Sequence, residues 1–343
     1  MSENEALSYA RPHGVNTAAV VADRPTQRRA LVFPGQGSQS VGMGRELAEQ
    51  FSVARRVFQE VDDALGQHLS RLMIEGPEAE LVLTENAQPA LMAVSMATLA
   101  VLRSEYGIEA SDLGQCVAGH SLGEYTALTA VGSFGLGEAA RLLRIRGLAM
   151  QTAVPVGEGA MAAMMGLDLD TAHEIAAEAT RDSYDGAVCV AANDNAPGQV
   201  VISGSRSAVV RAIEIAALRG SKRSIMLPVS GPFHCPLMAP VADVMAKALA
   251  DVNIQPPSLP LISNVTASAV TNPAEIRSLL VRQITGMVRW RESVLFMKSI
   301  GVRELIEFGA GKVLSGLARR IDREVSGLSI GTPADITAFA ATI

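Results

Sequence analysis

A serine between two glycines stands in the stretch VAGHSLGEY. Gly119, Ser121 and Gly123 fit the pattern G-x-S-x-G, which presents a nucleophilic serine on a tight turn between a strand and a helix. A predicted strand at residues 115–118 precedes the turn, and a helical pattern begins at Leu122. This context favours a nucleophile that forms an acyl-serine, although glycine and serine are also common in ordinary turns.

An acyl-serine needs a base to take the hydroxyl proton, and histidine is the usual choice because its pKa lies near working pH. Of the five histidines, His13 lies near the N-terminus, and His68 and His173 fall in helical patterns where a solvated position is expected. His120 precedes the serine, and we expect its side chain to point away from the nucleophile. His234 is then the candidate base, in the loop SGPFHCP; a hydrogen-bonded structural histidine is the alternative.

One predicted helix, residues 139–150, carries an arginine on its apolar face. At about 100° per residue, that face contains Leu142, Leu143, Ile145, Ala149 and Met150. Arg146 falls in its middle, and a buried guanidinium must find an anion because unpaired burial is very costly. The anion is either an internal carboxylate such as Glu138 or a ligand carboxylate held by two parallel N–H···O bonds.

A glycine-rich loop, PGQGSQ at residues 34–39, follows an apolar run at residues 30–33. Ligands bind at this edge of α/β sheets. The patterns G-x-x-x-x-G-K-[ST] and G-x-G-x-x-G are both absent, which argues against a phosphate cradle. The glycines are better suited to bringing backbone N–H groups close to an acyl oxygen.

The order of predicted elements places these groups in an α/β fold. Strands at residues 30–33 and 115–118 are separated by helical patterns over about 42–65 and 86–105, which implies a parallel sheet. The middle of the chain shows the ferredoxin-like order β-α-β-β-α-β, at residues 160–166, 170–180, 188–192, 199–203, 207–219 and 223–228. Later elements return to the first pattern, at residues 238–251, 260–264, 274–283 and 304–308.

We therefore predict a large α/β-hydrolase-like subdomain with a parallel sheet and an inserted small ferredoxin-like subdomain. The predicted divisions are a mobile leader at 1–28, the large subdomain at 29–151 and 229–343, and the small subdomain at 152–228. The large subdomain then carries both the nucleophile and the base.

Composition excludes several other classes of protein. The chain of 343 residues has a formal net charge of −6 and no lysine or arginine block, which argues against general nucleic-acid binding. Apolar residues make up 48% and aromatic residues 4%, an ordinary composition for a soluble enzyme. The longest mainly apolar stretch, residues 90–102, is too short to span a bilayer, and no signal peptide is evident.

Three cysteines are widely spread, at Cys116, Cys189 and Cys235. They show no C-x-x-C spacing, so neither a zinc site nor a disulfide framework is indicated. Reduced thiols fit a cytoplasmic protein best, and the sequence predicts no cofactor.

Four motifs, in this order, resemble those of malonyl-CoA:acyl carrier protein transacylases. They are PGQGSQ (34–39), GHSLGEY (119–125), RIRGLAMQ (144–151) and GPFH (231–234). The resemblance runs from about residue 29 to 312 and includes NAQP (86–89), NDN (193–195) with QVVISG (199–204), and Gln283 with VRW (288–290). The leader and the segment after Lys312 match no motif of the family.

The resemblance implies serine–histidine acyl transfer. Ser121 would attack the thioester of malonyl-CoA, and His234 would act as base and then protonate CoA. The thiol of holo acyl carrier protein would then take the malonyl group from the serine. In the family, a backbone carbonyl near Gln283 orients the histidine, and the N–H groups of Gln36 and Leu122 bind the oxyanion.

The resemblance also implies the substrate-binding groups. Arg146 would bind the malonyl carboxylate, and Gln88 in the NAQP motif and Gln283 would complete the pocket. Phe233 is similar to the residue of malonyl-preferring rather than methylmalonyl-preferring relatives.

Several functions remain open. Fatty-acid synthesis is the leading pathway, with polyketide assembly or malonate decarboxylation as alternatives. A serine thioesterase or hydrolase would usually place a carboxylate behind the histidine, and no particular Asp or Glu is evident. A catalytically silent carrier-binding module is a third class, against which Ser121, His234 and Arg146 argue.

The expected partners are malonyl-CoA and an acidic carrier protein, with no nucleic acid or membrane. Candidate docking residues for the carrier are Lys222, Arg223, Arg282 and Arg289. The family suggests a monomer.

Overall fold

Ten β-strands form two separate sheets in the computed structural model, which describes residues 28–184 and 186–343. The predicted leader, residues 1–28, lies outside this part of the chain except for Arg28. The strands are β1 (Arg29–Phe33), β2 (Cys116–Gly119), β3 (Gly159–Met165), β4 (Cys189–Ala196), β5 (Gln199–Ser205), β6 (Arg223–Met226), β7 (Leu261–Ile262), β8 (Ala269–Val270), β9 (Glu304–Phe308) and β10 (Ser326–Ile330).

Fifteen α-helices occur in the same described part of the chain. They are α1 (Arg45–Gln50), α2 (Ser52–Leu65), α3 (Leu69–Glu75), α4 (Glu78–Leu81), α5 (Thr84–Tyr106), α6 (Ala110–Leu113), α7 (Gly123–Ala130), α8 (Leu136–Thr152), α9 (Leu169–Arg181), α10 (Arg206–Leu218), α11 (Ala239–Ala250), α12 (Pro273–Gln283), α13 (Trp290–Ser299), α14 (Val313–Ile321) and α15 (Pro333–Ala340). A short 3₁₀ turn, Pro236–Met238, precedes α11.

The larger sheet has the strand order β10-β9-β1-β2-β7-β8, in which all strands but β8 are parallel. β1 is buried on both faces: Leu31 and Phe33 join one apolar cluster, and Ala30 and Val32 join another. In the register between β1 and β2, Phe33 lies opposite Gly119. The PGQGSQ loop and the serine turn therefore leave the sheet side by side.

The smaller sheet is antiparallel, with the order β4-β5-β3-β6. Its elements follow one another as β3-α9-β4-β5-α10-β6, the ferredoxin-like order. Ile175 of α9 and Ile215 of α10 share an apolar cluster with Met164 and Ile202 of the sheet. The predicted fold class, a parallel α/β sheet with a separate ferredoxin-like unit, is confirmed.

The structure differs most clearly from the sequence-based elements in three places. The helical pattern at 42–65 is divided at Phe51, whose extended backbone ends α1 and begins α2. The strand predicted at 260–264 contains only Leu261–Ile262, because the chain leaves the sheet before Asn264. The segment after Lys312, which matches no motif, forms α14, β10 and α15 and supplies an edge strand of the larger sheet.

Within the described ranges, no helix is both long and apolar enough to cross a membrane. The same ranges contain no group of three or more His, Cys, Asp or Glu side chains that could hold a metal ion. Cys116, Cys189 and Cys235 are buried free thiols.

Candidate active site

The serine turn lies between β2 and α7, and Ser121 has a φ of 54°. A positive φ is uncommon for a residue with a side chain, and it fits the strained elbow that exposes a nucleophile. A Cβ atom at Gly119 would lie 1.9 Å from the carbonyl carbon of Gly123. A Cβ atom at Gly123 would lie 2.3 Å from the carbonyl oxygen of Phe33. Close backbone approach therefore requires both glycines of the motif.

Asn264 holds the serine turn from the end of β7. Its Oδ1 accepts from the backbone N–H of Ser121 at 2.8 Å, and its Nδ2 donates to the carbonyl oxygen of Gly119 at 2.7 Å. Sequence reasoning missed this residue. The sequence does show a polar side chain at the end of a predicted strand. Because β7 and β2 are neighbours in the sheet, a residue at that position can reach the turn that follows β2.

Ser121 and His234 form a hydrogen-bonded pair. The Ser121 hydroxyl oxygen lies 2.8 Å from His234 Nε2, and His234 Nδ1 lies 2.9 Å from the carbonyl oxygen of Gln283. Because a carbonyl only accepts, Nδ1 carries the proton and Nε2 is free to accept from the serine. His234 is buried and has a φ of 59°, held by the irregular loop before α11.

The protonation state of His234 follows from its surroundings. Burial, together with the positive charge of Arg146, lowers the pKa of His234 to about 3. The imidazole is therefore neutral at ordinary pH and able to take a proton from Ser121.

Arg146 reaches the same hydroxyl from α8. Its Nη2 donates to Ser121 Oγ at 2.9 Å and to Gln283 Oε1 at 2.8 Å, and its Nη1 donates to Gln88 Oε1 at 2.8 Å. The Nε–H group is buried without a hydrogen-bond partner among the described residues. Gly147 lets α8 approach α5, because a Cβ atom there would lie 2.5 Å from the carbonyl oxygen of Thr84.

Two expectations for helix α8 are corrected: the partner of Arg146 and the burial of Ile145. Arg146 is 1% exposed as expected, but its partners are amides and a hydroxyl, and the described residues place no carboxylate within ion-pair distance of it. The alternative of an ion pair with Glu138 is therefore wrong. Ile145, expected on the buried face, is 39% exposed. A helical wheel shows the direction in which each side chain points, but it does not show how much of the helix surface its neighbours cover.

Glu124 is a second buried charged residue that sequence reasoning missed. It lies in the first turn of α7 and is fully buried. Its two carboxylate oxygens accept hydrogen bonds from the backbone N–H of Asn264 and from Gln283 Nε2. Burial raises the pKa of Glu124 to about 7. The sequence does show one acidic residue on a helix that is otherwise uncharged.

A cavity of about 490 Å³ opens above Ser121. The other predicted binding residues, Gln36, Gln88, Leu122 and Phe233, line it, whereas Gln283 lies behind Arg146. The remaining lining residues are Gly37, Gln39, Glu78, Val82, His120, Arg146, Met150, Met161, Asn193, Leu227, Pro228, Val229 and His234. The structure thus brings together every site residue predicted from the sequence.

The side chains of the remaining histidines within the described residues do not contact Ser121. His120 Nε2 lies 2.9 Å from Asn195 Oδ1, so this side chain is directed toward β4. His68 and His173 are exposed, as expected for solvated positions, and His13 lies outside the described residues.

The candidate docking residues differ in solvent exposure and in the contacts they already make. Lys222, Arg223 and Arg282 are exposed. Arg289 is half-buried, pairs with Glu292 and donates to the carbonyl oxygen of Val265. Arg289 is therefore less available to a partner than the other three.

Comparison with known proteins agrees with this geometry. Residues 30–310 match the family described as acyl transferase domain. The malonyl CoA-acyl carrier protein transacylase of Bacillus subtilis is 44% identical over 307 residues, covering 90% of this chain and 94% of the relative. The chain belongs to the malonyl-CoA:acyl carrier protein transacylase family. It is an acyltransferase, as its motifs predicted.

Solved structures of transacylases share the fold. The acyl-carrier-protein-S-malonyltransferase of Bartonella henselae is 52% identical, with a TM-score of 0.88 over 92% of this chain and 98% of that one. A malonyl-transacylase solved in complex with its type II polyketide acyl-carrier protein is 40% identical, with a TM-score of 0.87 over 92% of this chain and 99% of that one.

Proposed function

We propose that this transacylase transfers a malonyl group from malonyl-CoA to the phosphopantetheine thiol of holo acyl carrier protein. The observation that carries the proposal is the position of Ser121 Oγ, 2.8 Å from His234 Nε2 and 2.9 Å from Arg146 Nη2. A base and a buried guanidinium at one hydroxyl suit an acyl group that ends in a carboxylate. The names of the relatives support the same substrate and carrier.

Acylation of Ser121 is the first half of the reaction. Ser121 Oγ attacks the thioester carbonyl carbon while its proton moves to His234 Nε2. The C–S bond then breaks, and His234 returns the proton to the departing CoA thiolate. The products are malonyl-Ser121 and CoA.

Transfer to the carrier reverses these steps. The carrier's thiol gives its proton to His234, and its sulfur attacks the ester carbonyl. The bond from the carbonyl carbon to Ser121 Oγ breaks, and the oxygen recovers the proton from His234. The hydrogen bond from Nδ1 to the carbonyl of Gln283 keeps the imidazole in one orientation throughout.

The oxyanion of both tetrahedral intermediates would be bound by the backbone N–H groups of Gln36 and Leu122. Both residues line the cavity, and the pairing of β1 with β2 brings their two loops together. Removing one such donor typically costs about 3–4 kcal/mol of barrier, on the order of a hundred- to a thousandfold in rate.

Selectivity for malonyl would come from Arg146. Gln88 and Gln283 hold its guanidinium without neutralising it. An acyl group that lacks a carboxylate would leave this buried charge unpaired, which disfavours its transfer. Phe233 lines the same cavity and would limit branching of the acyl chain.

The cavity also supports the proposed division of the chain into 29–151 with 229–343 and 152–228. Ser121 and Arg146 line it from the first unit, and Met161 and Asn193 line it from the second. Substrate would bind in the cleft between the two units.

Fatty-acid synthesis is our proposed destination of the malonyl group. The structural relative bound to a polyketide carrier supports polyketide assembly as a second candidate. Transfer rates to the two kinds of carrier, measured side by side, distinguish these pathways.

The decisive experiment for malonyl transfer is acylation in the absence of carrier. The protein is incubated separately with malonyl-CoA and acetyl-CoA, and mass spectrometry locates the added mass. We expect a malonyl adduct on Ser121 that discharges onto a carrier thiol faster than onto water. Labelling by acetyl-CoA without labelling by malonyl-CoA would overturn the proposal.

A further inference from the structure

The side-chain amide of Gln283 lies between two buried charged groups. Its Nε2 donates to Glu124 Oε2, and its Oε1 accepts from Arg146 Nη2 at 2.8 Å. Nε2 also donates to the carbonyl oxygen of Ser121 at 2.9 Å. Because a carboxylate only accepts and a guanidinium only donates, these neighbours fix which way the amide points.

The main chain of the same residue contacts the base. The carbonyl of Gln283 accepts from His234 Nδ1, and Gln283 is fully buried at the end of α12. A shift of Gln283 as a whole would therefore displace both His234 and Arg146 relative to Ser121.

The second contact of Glu124 also leads to the nucleophile. Glu124 Oε1 accepts from the backbone N–H of Asn264, whose side chain holds the backbone of Ser121. Glu124 forms no ion pair within the described part of the chain, so its charge is satisfied by these N–H donors and by the side chain of Ser263. Both contacts thus connect the carboxylate to the serine–histidine pair.

We propose that Glu124 is a positioning residue for acyl transfer, acting through Gln283 and Asn264 without touching the substrate. The inference rests on the acyl transfer proposed above. When ionised, Glu124 accepts from both neighbours at once. When protonated, one oxygen becomes a donor and faces an N–H group, so one contact is lost and Gln283 is free to move.

Charges around Glu124 set the pH at which this change occurs. Burial raises the pKa of Glu124 to about 7, while hydrogen bonds from Asn264 and Gln283 and the charge of Arg146 on α8 oppose the rise. Tyr125 on α7 and His234 before α11 are the other titratable groups near Arg146. His234 has its pKa lowered to about 3 and stays neutral, so Glu124 is the group that changes charge near pH 7.

The test compares Glu124→Gln with Glu307→Gln. Glu307 is as buried as Glu124 and also accepts hydrogen bonds, in its case from the backbone N–H groups of Leu314 and Ser315. Its replacement by glutamine is therefore a matched control. Two modifications of Ser121 are timed for each full-length protein: acylation by malonyl-CoA and, separately, phosphonylation by a fluorophosphonate, which needs no carboxylate.

We expect the wild-type acylation rate to rise between about pH 6 and pH 8, and Glu124→Gln to stay near the acid-limb rate throughout. At about pH 8 the variant should be about tenfold to a hundredfold slower than the wild type, since small misplacements of catalytic groups cost this much. Glu307→Gln should keep the wild-type profile, whatever its thermal stability.

Three results would overturn the role of Glu124. They are a folded Glu124→Gln variant that acylates at the wild-type rate, one that keeps the pH-dependent rise, or an equal loss in Glu307→Gln. If Glu124→Gln does not fold, the wild-type profile decides, because a rate that is constant across this interval contradicts the inference. A wild type that accepts no malonyl group would refute the proposed function, while the fluorophosphonate rates would still test Glu124.

Discussion

The guanidinium of Arg146 lies 2.9 Å from the hydroxyl oxygen of Ser121, closer to the nucleophile than any carboxylate in the described structure. This donor is directed at a lone pair of the Ser121 hydroxyl oxygen. A ligand carboxylate would draw the guanidinium toward itself and leave that lone pair available. The residue that we propose selects the acyl chain is therefore also in direct contact with the proposed nucleophile.

Replacing Arg146 tests this selectivity. We expect Arg146→Ala to lower malonyl acylation of Ser121 by about a hundredfold or more, since the substrate's carboxylate loses its buried partner. Acetyl acylation should fall less. The control is Arg144→Ala on the same helix, which loses contacts with Asn86 and Glu85 but leaves the nucleophile untouched. Equal losses of malonyl and acetyl transfer in Arg146→Ala would make the residue structural.

Alanine should have opposite effects at Gly123, in the serine turn, and at Gly316, in α14. Gly123→Ala would force a Cβ atom to within 2.3 Å of the Phe33 carbonyl oxygen. We expect a loss of about 3 kcal/mol or more in the free energy of unfolding. Gly316→Ala lies within α14 with open space around it, and it should gain about 0.5–1 kcal/mol. Chemical denaturation measures both, and a harmless Gly123→Ala would contradict the close approach.

Acid should destabilise the protein through His234. Its folded-state pKa is lowered from 6.5 to about 3, so its contribution to stability is complete above pH 6.5 and is lost as the pH falls toward 3. His234→Gln lacks this titration. The free energy of unfolding should therefore fall more steeply with acid in the wild type than in the variant. Parallel pH profiles would show that His234 titrates normally in the folded protein.

The pH dependence of the stability contributed by Glu124 should be opposite to that of His234. The folded-state pKa of Glu124 is raised from 4.5 to about 7, so its contribution is complete below pH 4.5 and is lost as the pH rises through 7. The stability of the wild type relative to Glu124→Gln should fall across this interval by about 3 kcal/mol. Urea denaturation at several pH values measures the difference. A constant difference would mean that the carboxylate is not penalised by burial.

Carrier docking is tested by reversing charge. We expect Lys222→Glu and Arg282→Glu to raise the KM for the carrier while leaving the rate of Ser121 acylation by malonyl-CoA unchanged. Arg320→Glu, an exposed change of equal charge on α14, is the control. Arg289→Glu should also break the ion pair with Glu292, so its effect would include lost stability. An unchanged KM for the carrier would exclude the positions concerned.

The groups that local patterns encode were predictable, and those defined by distant contacts were not. Ser121 and Arg146 were evident because a turn motif and a helix period lie within a few residues of each. Asn264 and Glu124 were not predicted, because their roles depend on contacts between residues that are distant in sequence. Asn264 contacts Ser121 across 143 positions and Glu124 across 140 positions, and folding brings these residues together.

The pairing of Phe33 with Gly119 has a consequence for protein engineering. Gly123 fits against the carbonyl of Phe33, and Gly35 in the neighbouring loop leaves no room for a Cβ atom beside His120. A serine turn grafted alone onto another scaffold would lack the surface that shapes it. The transplantable unit is the pair of adjacent strands with both loops, together with Asn264 after β7, whose side chain holds the serine turn.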